Sequence, residues 1–429
     1  MRTVAVVGAG PSGLCAARHL AQLAANPGGP LHFRVFEATT SLGGTWNFSE
    51  EVTWETAGGE VRTAHTSIYR DLRTDIPREA MQFPDFPMEA PSEGDPSYMH
   101  HTEVHEYLEH YATQYQLHQY IEFNKEVRSI APIQREEVDC QWHVSVADLK
   151  TGTIEDCTFD AIMICNGHFS EGNIPSIPGL ESFKKCQAPL VMHSRSYRRP
   201  EAFAGRRVAL WGAGPSAWDI ALEVARVAKS VTICHRPTPW LPSGFPPDIK
   251  LSGNIVSARE EGLELDDGTF YECDALIYCT GYCYSFPFLT QECGIKVENN
   301  CVVPLYKQLI NAEHPSMCFV GIPQATLPFP MAHFQVQYFL GMLHGSVVLP
   351  SRAIMRAEGD SCISHRLAEH LWDYLDDLAN STAAVALPAY PRAVTADSIT
   401  TMMQDIANFK KYRYVPTTNG SFVKVQAQQ

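Results

Sequence analysis

The chain has 429 residues, 45% of them hydrophobic, with 48 acidic against 33 basic side chains and a formal net charge of −15. That length suffices for two or three domains, each with a core of its own, and the acidic balance excludes a surface built to neutralise nucleic-acid phosphates. No stretch approaches the uninterrupted apolar length of a membrane span, so no membrane anchor is expected.

The first element starts almost at once. Val4-Ala5-Val6-Val7 reads as a short buried strand, and Gly8-Ala9-Gly10-Pro11-Ser12-Gly13 follows as a glycine turn whose backbone N–H groups can approach a pyrophosphate. A helix from Leu14 to Leu23, a turn from Asn26 to Pro30 and a strand from Leu31 to Phe36 complete a dinucleotide-binding unit that ends on Glu37. An acid there suits free ribose hydroxyls and rejects a 2′-phosphate. Met1 leaves no room for a signal peptide ahead of this strand, which implies a cytoplasmic protein, or a secreted one if a leader was trimmed. Sequons at Asn47, Asn380 and Asn419 would fit secretion, although Asn47 falls in a segment assigned below to a cofactor.

From Glu50 to Pro96 the chain is rich in turns and polar residues and reads as loops that carry function. A helix over Glu103–Gln116 follows, with Thr102 as N-cap and Val104, Tyr107, Leu108, Tyr111 and Tyr115 on its core face. Strands are expected at Ile121–Ile130, Trp142–Val146 and Phe159–Cys165, the last ending at Asn166-Gly167-His168. Ile174-Pro175-Ser176-Ile177-Pro178-Gly179 reads as a linker into a second unit. There Val208-Ala209-Leu210-Trp211 leads into Gly212-Ala213-Gly214-Pro215-Ser216-Ala217, a helix Ile220–Ala228 and a strand Ser230–Cys234. Ala217 replaces the third glycine, a mild change at a position that serves helix–strand packing.

The second unit ends on His235-Arg236 where an acid would mark NAD. An arginine's fork of donors fits the 2′-phosphate of NADP; a solvated loop cation is the plainer alternative. A strand Ala275–Cys279 ending at Thr280-Gly281-Tyr282 mirrors the earlier strand end, and the segment from Pro304 onward reads as the return to the first unit. Leu367, Leu371, Trp372, Leu375 and Leu378 form an amphipathic packing helix. The expected fold is therefore α/β with two Rossmann-like dinucleotide domains, the second inserted into the first: residues 1–170, 171–300 and 301–429.

Thirteen cysteines occur without a C-x-x-C pair, so no metal site and no dithiol redox centre is expected, and most read as core thiols. This removes the flavoprotein disulfide reductases, which share a double fingerprint.

Several further segments carry a resemblance. Gly43-Gly44-Thr45-Trp46; Tyr69-Arg70-Asp71-Leu72-Arg73-Thr74 with Met81-Gln82-Phe83-Pro84-Asp85-Phe86-Pro87; His193-Ser194-Arg195-Ser196-Tyr197-Arg198; Thr280-Gly281-Tyr282; and Pro328-Phe329-Pro330 with Gln335 together resemble the flavin-containing monooxygenases that oxygenate nitrogen and sulfur, of the soluble non-vertebrate type. The resemblance implies FAD on the first fingerprint, with Gly8, Gly10, Pro11, Ser12, Gly13, Glu37, Gly44, Thr45, Trp46, Thr74, Asp75, Val127 and Gln335 around it. It implies NADPH on the second, with Tyr197, Gly212, Gly214, Pro215, Ser216, Ala217, Arg236, Thr280 and Gly281. It also implies a homo-oligomer.

Three departures stand out. Phe183 lies too far from His193 and Pro189 stands where the family fingerprint has glycine, which implies a longer or re-routed loop near the nicotinamide. Asp75 stands where the family usually has asparagine. With Thr74 it is the candidate catalytic residue, since an ionised carboxylate would disfavour a peroxide anion and a protonated one would donate to it; a solvent-facing loop aspartate is the alternative. Gln337 replaces a common arginine and reads as a surface change.

The chemistry implied is reduction of FAD by NADPH, reaction with O2, and transfer of oxygen from a carbon 4a hydroperoxide to a soft nucleophile, the cofactor supplying the difficult step. Tertiary amines such as alkaloids rank first, thioethers second. Baeyer–Villiger chemistry, whose enzymes usually carry Trp-Pro where Tyr197-Arg198 stands, hydroxylation of a primary amine, and an uncoupled NADPH oxidase or sensor remain alternatives.

Overall fold

The computed structural model describes residues 2–25, 31–55, 61–133, 140–185, 189–417 and 420–427. The expected turn at Asn26–Pro30, the sequon at Asn419 and part of the expected re-routed loop, 186–188, lie outside them.

Strand β1 (Arg2–Val7) buries Val4 to Val7, and helix α1 (Pro11–Ala24) begins at Pro11, ahead of the expected Leu14, because proline's fixed φ suits a first helical turn. Strand β2 (Leu31–Glu37) follows, then the helix His101–Gln114. Its cap is His100 and not Thr102: the His100 side chain accepts from the Thr102 amide, and Glu103 Oε2 accepts from the His100 amide at 2.8 Å.

The single strand expected at 121–130 is two. β3 (Ile121–Phe123) pairs in parallel with β2 at the edge of the first sheet, Asn124 takes φ +59°, and the chain then runs into an antiparallel meander of 125–133, 141–148 and 154–159. Asn tolerates that left-handed backbone better than most residues. β4 (Ala161–Ile164) re-enters the first sheet after Asp160, whose carboxylate accepts from the Thr3 amide and hydroxyl at 2.8 and 2.9 Å.

The second unit holds β5 (Leu190–His193), β6 (Arg207–Trp211), α2 (Pro215–Val224), β7 (Ser230–Cys234) and β8 (Ala275–Tyr278). Like α1, α2 starts at a proline, earlier than expected, and it ends at Val224 instead of Ala228. The sheet order is β5-β8-β6-β7 and then Ile249–Ser252, all parallel. In the first unit, β9 (Met317–Phe319) pairs with β4, giving seven strands in the order 305–306, 310–311, β9, β4, β1, β2, β3. Helix α3 (Pro328–His344) packs on α1.

Two short linkers join the units, and they pair with each other: Glu171–Gly172 runs antiparallel to Tyr282–Cys283. By Tyr284 the chain is back in the first unit's core, beside Ile162, Ile164 and Phe319. The segment from Pro304 thus continues inside that unit, and the crossing lies upstream of it. The C-terminal amphipathic pattern forms a helix over Leu371–Thr382 whose Leu371, Leu375 and Leu378 are buried. No helix among the described residues is long and apolar enough to cross a membrane.

Candidate functional site

Two phosphate-type cradles are built the same way on separate sheets. In the first, the Ala9 amide is held by Glu37 Oε2 at 2.8 Å, while the amides of Gly10, Ser12 and Gly13 have no partner among the described residues. These are the orphan donors at the positive end of α1, and an anion satisfies them. A side chain at Gly13 would place its Cβ 1.9 Å from the Gly8 carbonyl oxygen, so α1 packs onto the turn only with glycine there. Gly44 (φ +57°) lies against Gly10, where its own Cβ would come within 2.9 Å of the Gly10 Cα; this brings the Gly43-Gly44-Thr45-Trp46 segment onto the first cradle.

Glu37 is buried. Its Oε1 accepts from the Thr39 amide and hydroxyl at 2.8 and 2.7 Å. With the Ala9 contact, three donors occupy a carboxylate that offers about four lone-pair sites, leaving room for a ribose hydroxyl. Thr45 Oγ1 is buried without a hydrogen-bond partner, the sort of orphan a bound polar group would satisfy. Trp46 is half-buried beside it. Thr74 is buried and pairs with Met99 in both directions, at 2.9 and 3.1 Å. Val127 lies in the meander strand next to the end of β2, buried at the irregularity opposite Val146.

In the second cradle Pro215 opens α2, the Gly212 amide bonds to the Cys234 carbonyl at 2.9 Å, and the amides of Gly214 and Ser216 have no partner among the described residues. The space beside the Gly214 Cα is open, while Ala217 is wholly buried against the core. Arg236 follows β7, exposed, and no carboxylate among the described residues pairs with it.

Other expected contacts are engaged with protein. Gln335 accepts from the Gly321 amide at 2.8 Å and donates to Tyr374 Oη at 2.7 Å, so both ends of its buried amide are occupied. Gln337 is half-buried and not simply a surface change: its amide meets His333 Nε2, at one end of a row that runs through the buried His19 to the half-buried Arg18. The Tyr197 hydroxyl is bonded to Glu223. Thr280 donates its hydroxyl to the Asn173 carbonyl, and Gly281 O accepts from the Asn173 amide at 2.9 Å and from His193 Nε2 at 3.0 Å. Thr280 and Gly281 therefore clamp the paired linkers.

Between the units lies a seam that motif reading alone misses. Tyr69 donates to Asp219 of α2, and its ring meets that of Tyr197 edge-on at 5.3 Å. Arg198 is buried and donates to the carbonyls of Ser49, Thr66, Arg195 and Tyr197, with burial holding its pKa below the usual arginine range. Asp75 lies exposed in a loop, as the plainer alternative has it, but it is not free: it pairs with Lys410 at 2.9 Å. Asp219 and Glu223 sit one helical turn apart on α2, which the sequence displays, but their partners come from distant loops.

The sequence profile described as flavin-binding monooxygenase-like matches residues 1–246 and 244–370. A flavin-containing monooxygenase of Arabidopsis thaliana, FMO GS-OX-like 4, is 34% identical over 367 residues, 83% of this chain and 79% of the relative. FMO GS-OX5 of the same plant is 33% identical over 405 residues, 89% and 85% of the two chains. Among solved structures, S-allyl-L-cysteine S-oxygenase from Allium sativum is similar with a TM-score of 0.85 at 30% identity, covering 95% of this chain and 94% of that one.

Proposed function

The chain belongs to the flavin-binding monooxygenase-like family, and from that premise we propose that it transfers one atom of O2, by way of a hydroperoxide at flavin carbon 4a, to a soft nucleophile. It is a monooxygenase with FAD and NADPH as cofactors. A thioether sulfur is our first substrate class, ahead of the tertiary-amine nitrogen that the sequence alone favours. A relative 30% identical, named for S-oxygenation of S-allyl-L-cysteine, supports that order.

The observation that carries the reading is the pair of cradles, one with the Glu37 carboxylate on its Ala9 amide and the other followed, after β7, by the exposed Arg236, with which no carboxylate among the described residues pairs. In this proposal the first holds the FAD pyrophosphate, with Glu37 on the ribose and Thr45 toward the flavin. The second holds NADPH, with Arg236 on the 2′-phosphate. The residues of the seam exclude water and align the two cofactors, since shape and dryness serve soft-nucleophile oxygenation better than a dedicated acid–base pair. All twelve described cysteines are free thiols, which supports a reducing, cytoplasmic setting. A homo-oligomer belongs to the same proposal, and light scattering measures it.

The test is a stopped-flow experiment on FAD-loaded protein, reduced by NADPH and mixed with O2, first alone and then with S-allyl-L-cysteine or a tertiary amine. A long-lived intermediate that decays faster with the thioether, giving sulfoxide, supports the proposal. Immediate return to oxidised flavin with peroxide release means an uncoupled oxidase. Failure to reduce means a sensor, and lactone formation from a ketone would move the chain to Baeyer–Villiger chemistry.

A further inference from the structure

Lys410 lies beyond the residues that the family profile matches, in the short turn Phe409–Lys411 near the C-terminus. Its ammonium nevertheless sits in the seam. Nζ donates to the Arg73 carbonyl, to Asp75 Oδ1 and to Asp219 Oδ1, each at 2.9 Å. An ammonium has three donors and no acceptor, so every donor is taken. The three oxygens come from the Arg73–Asp75 loop of the first unit and from α2 of the second. Asp219 is fixed from its other side by the Tyr69 hydroxyl. Asp75 keeps 41% of its side-chain surface open, so its carboxyl is held by protein on one side and accessible on the other.

We propose that Lys410 is a positioning residue of the oxygenase site, fixing the Asp75 carboxyl at the seam and tying it to the second unit's helix through Asp219. The inference rests on the proposed function and on Asp75 as the candidate catalytic carboxyl that the family resemblance implies beside FAD. The charged and titratable groups that face Asp75 are Lys410, Asp219, Tyr69 and Tyr98. Two carboxylates share one cation. Desolvation of the side of the Asp75 carboxyl that faces protein raises its pKa, the Lys410 charge opposes it, and repulsion from Asp219 adds to the rise. Lys410 itself is held charged by its two acids, against the effect of burial. Removing the cation leaves Asp75 facing Asp219 unscreened, and the proton stays on Asp75 to higher pH. Neutralising Asp219 acts in the opposite direction.

The experiment is a pH titration of the visible spectrum of oxidised flavin in the FAD-loaded protein, from the ordinary carboxylate range at about pH 4 upward, for wild type, K410M, K410R, D219N and D75N. We expect one flavin-linked transition in wild type that D75N abolishes. K410M raises its midpoint by about one pH unit or more, K410R restores it, and D219N lowers it, with the FAD-to-protein ratio constant throughout. Should K410M fail to retain FAD, the D219N and K410R midpoints carry the test. A transition that persists in D75N, midpoints that K410M and D219N leave in place, or no transition in wild type would each overturn the assignment. Failure of the oxygenase reading shows separately, as wild-type protein that makes only peroxide while the midpoints still move as described.

Discussion

Tyr197 Oη donates to Glu223 Oε2 at 2.7 Å, with both residues buried where the second unit meets the first. Burial pushes the Glu223 carboxyl up to about 7, against the pull of that hydrogen bond, and nearby Asp219 adds to the rise. An acid raised in the native state binds its proton more tightly there than in the unfolded chain. Its contribution to stability is complete below the unfolded value of 4.5 and is lost as pH rises through about 7. Glu223→Gln keeps an acceptor for Tyr197 and removes the titration. The variant should gain on wild type by up to about 3 kcal/mol between acid and neutral pH, read as thermal midpoints that diverge above about pH 5. A constant difference between the two proteins would mean that Glu223 binds its proton no more tightly in the folded than in the unfolded chain.

Arg236 is exposed just after β7, with no carboxylate partner among the described residues, and its proposed assignment to a 2′-phosphate makes a selectivity prediction. Charge-assisted hydrogen bonds contribute about 1.5–3 kcal/mol, so Arg236→Ala should lower kcat/KM for NADPH about 10- to 100-fold. NADH, which has no phosphate to lose, should be used as before. Steady-state flavin reduction with both nucleotides gives the ratio, and an unchanged ratio would return Arg236 to the status of a solvated cation.

Both cradles were legible in the sequence because their chemistry is local. A strand, a glycine turn and a helix opening at Pro11 or Pro215 lie within a dozen or so neighbouring residues, and Glu37 and Arg236 follow each at the end of the next strand. The seam was not legible, since Tyr69, Asp75, Asp219 and Lys410 meet only after folding. Gln337 shows the same limit on a smaller scale: His333 is its neighbour one turn back on the same helix, but the His19 ring that continues the row comes from α1 and meets it only after folding. The break at Asn124 was missed although Asn124-Lys125-Glu126 interrupts the apolar pattern, because apolar residues on either side, Ile121 and Phe123 before it and Val127 and Ile130 after it, let the two segments be read as one strand.

At Gly13 the expected effect is large, because a methyl group would overlap the Gly8 carbonyl oxygen at 1.9 Å and the obstacle is backbone. Relief requires α1 to move away from the turn, which takes its free amides out of register with a pyrophosphate. Gly13→Ala should therefore purify with little FAD and a lower thermal midpoint. Absorbance at the flavin band against total protein checks this; full occupancy would mean that the turn relaxes without α1.

His193 is the brace for the crossing between the sheets. Its Nε2 donates to the Gly281 carbonyl and its Nδ1 accepts from the Arg195 amide, each at 3.0 Å, while Gly172 of the opposite linker packs on its ring so closely that a Cβ there would come within 2.7 Å of Nδ1. Only the neutral ring serves both bonds, because a proton on Nδ1 would face the Arg195 N–H. Burial accordingly lowers the His193 pKa, the Gly281 carbonyl pulls it back, and Arg195 lowers it further. A histidine depressed in the native state contributes stability above its unfolded value, and that contribution is lost as pH falls. Wild type should thus lose thermal stability below about pH 6.5 by an increment that His193→Gln, which cannot titrate, does not show. The variant's shifted linkers should also slow reduction of the flavin by NADPH while FAD content holds. An unchanged reduction rate alongside a lowered thermal midpoint would confine His193 to stability and detach the linkers from cofactor alignment.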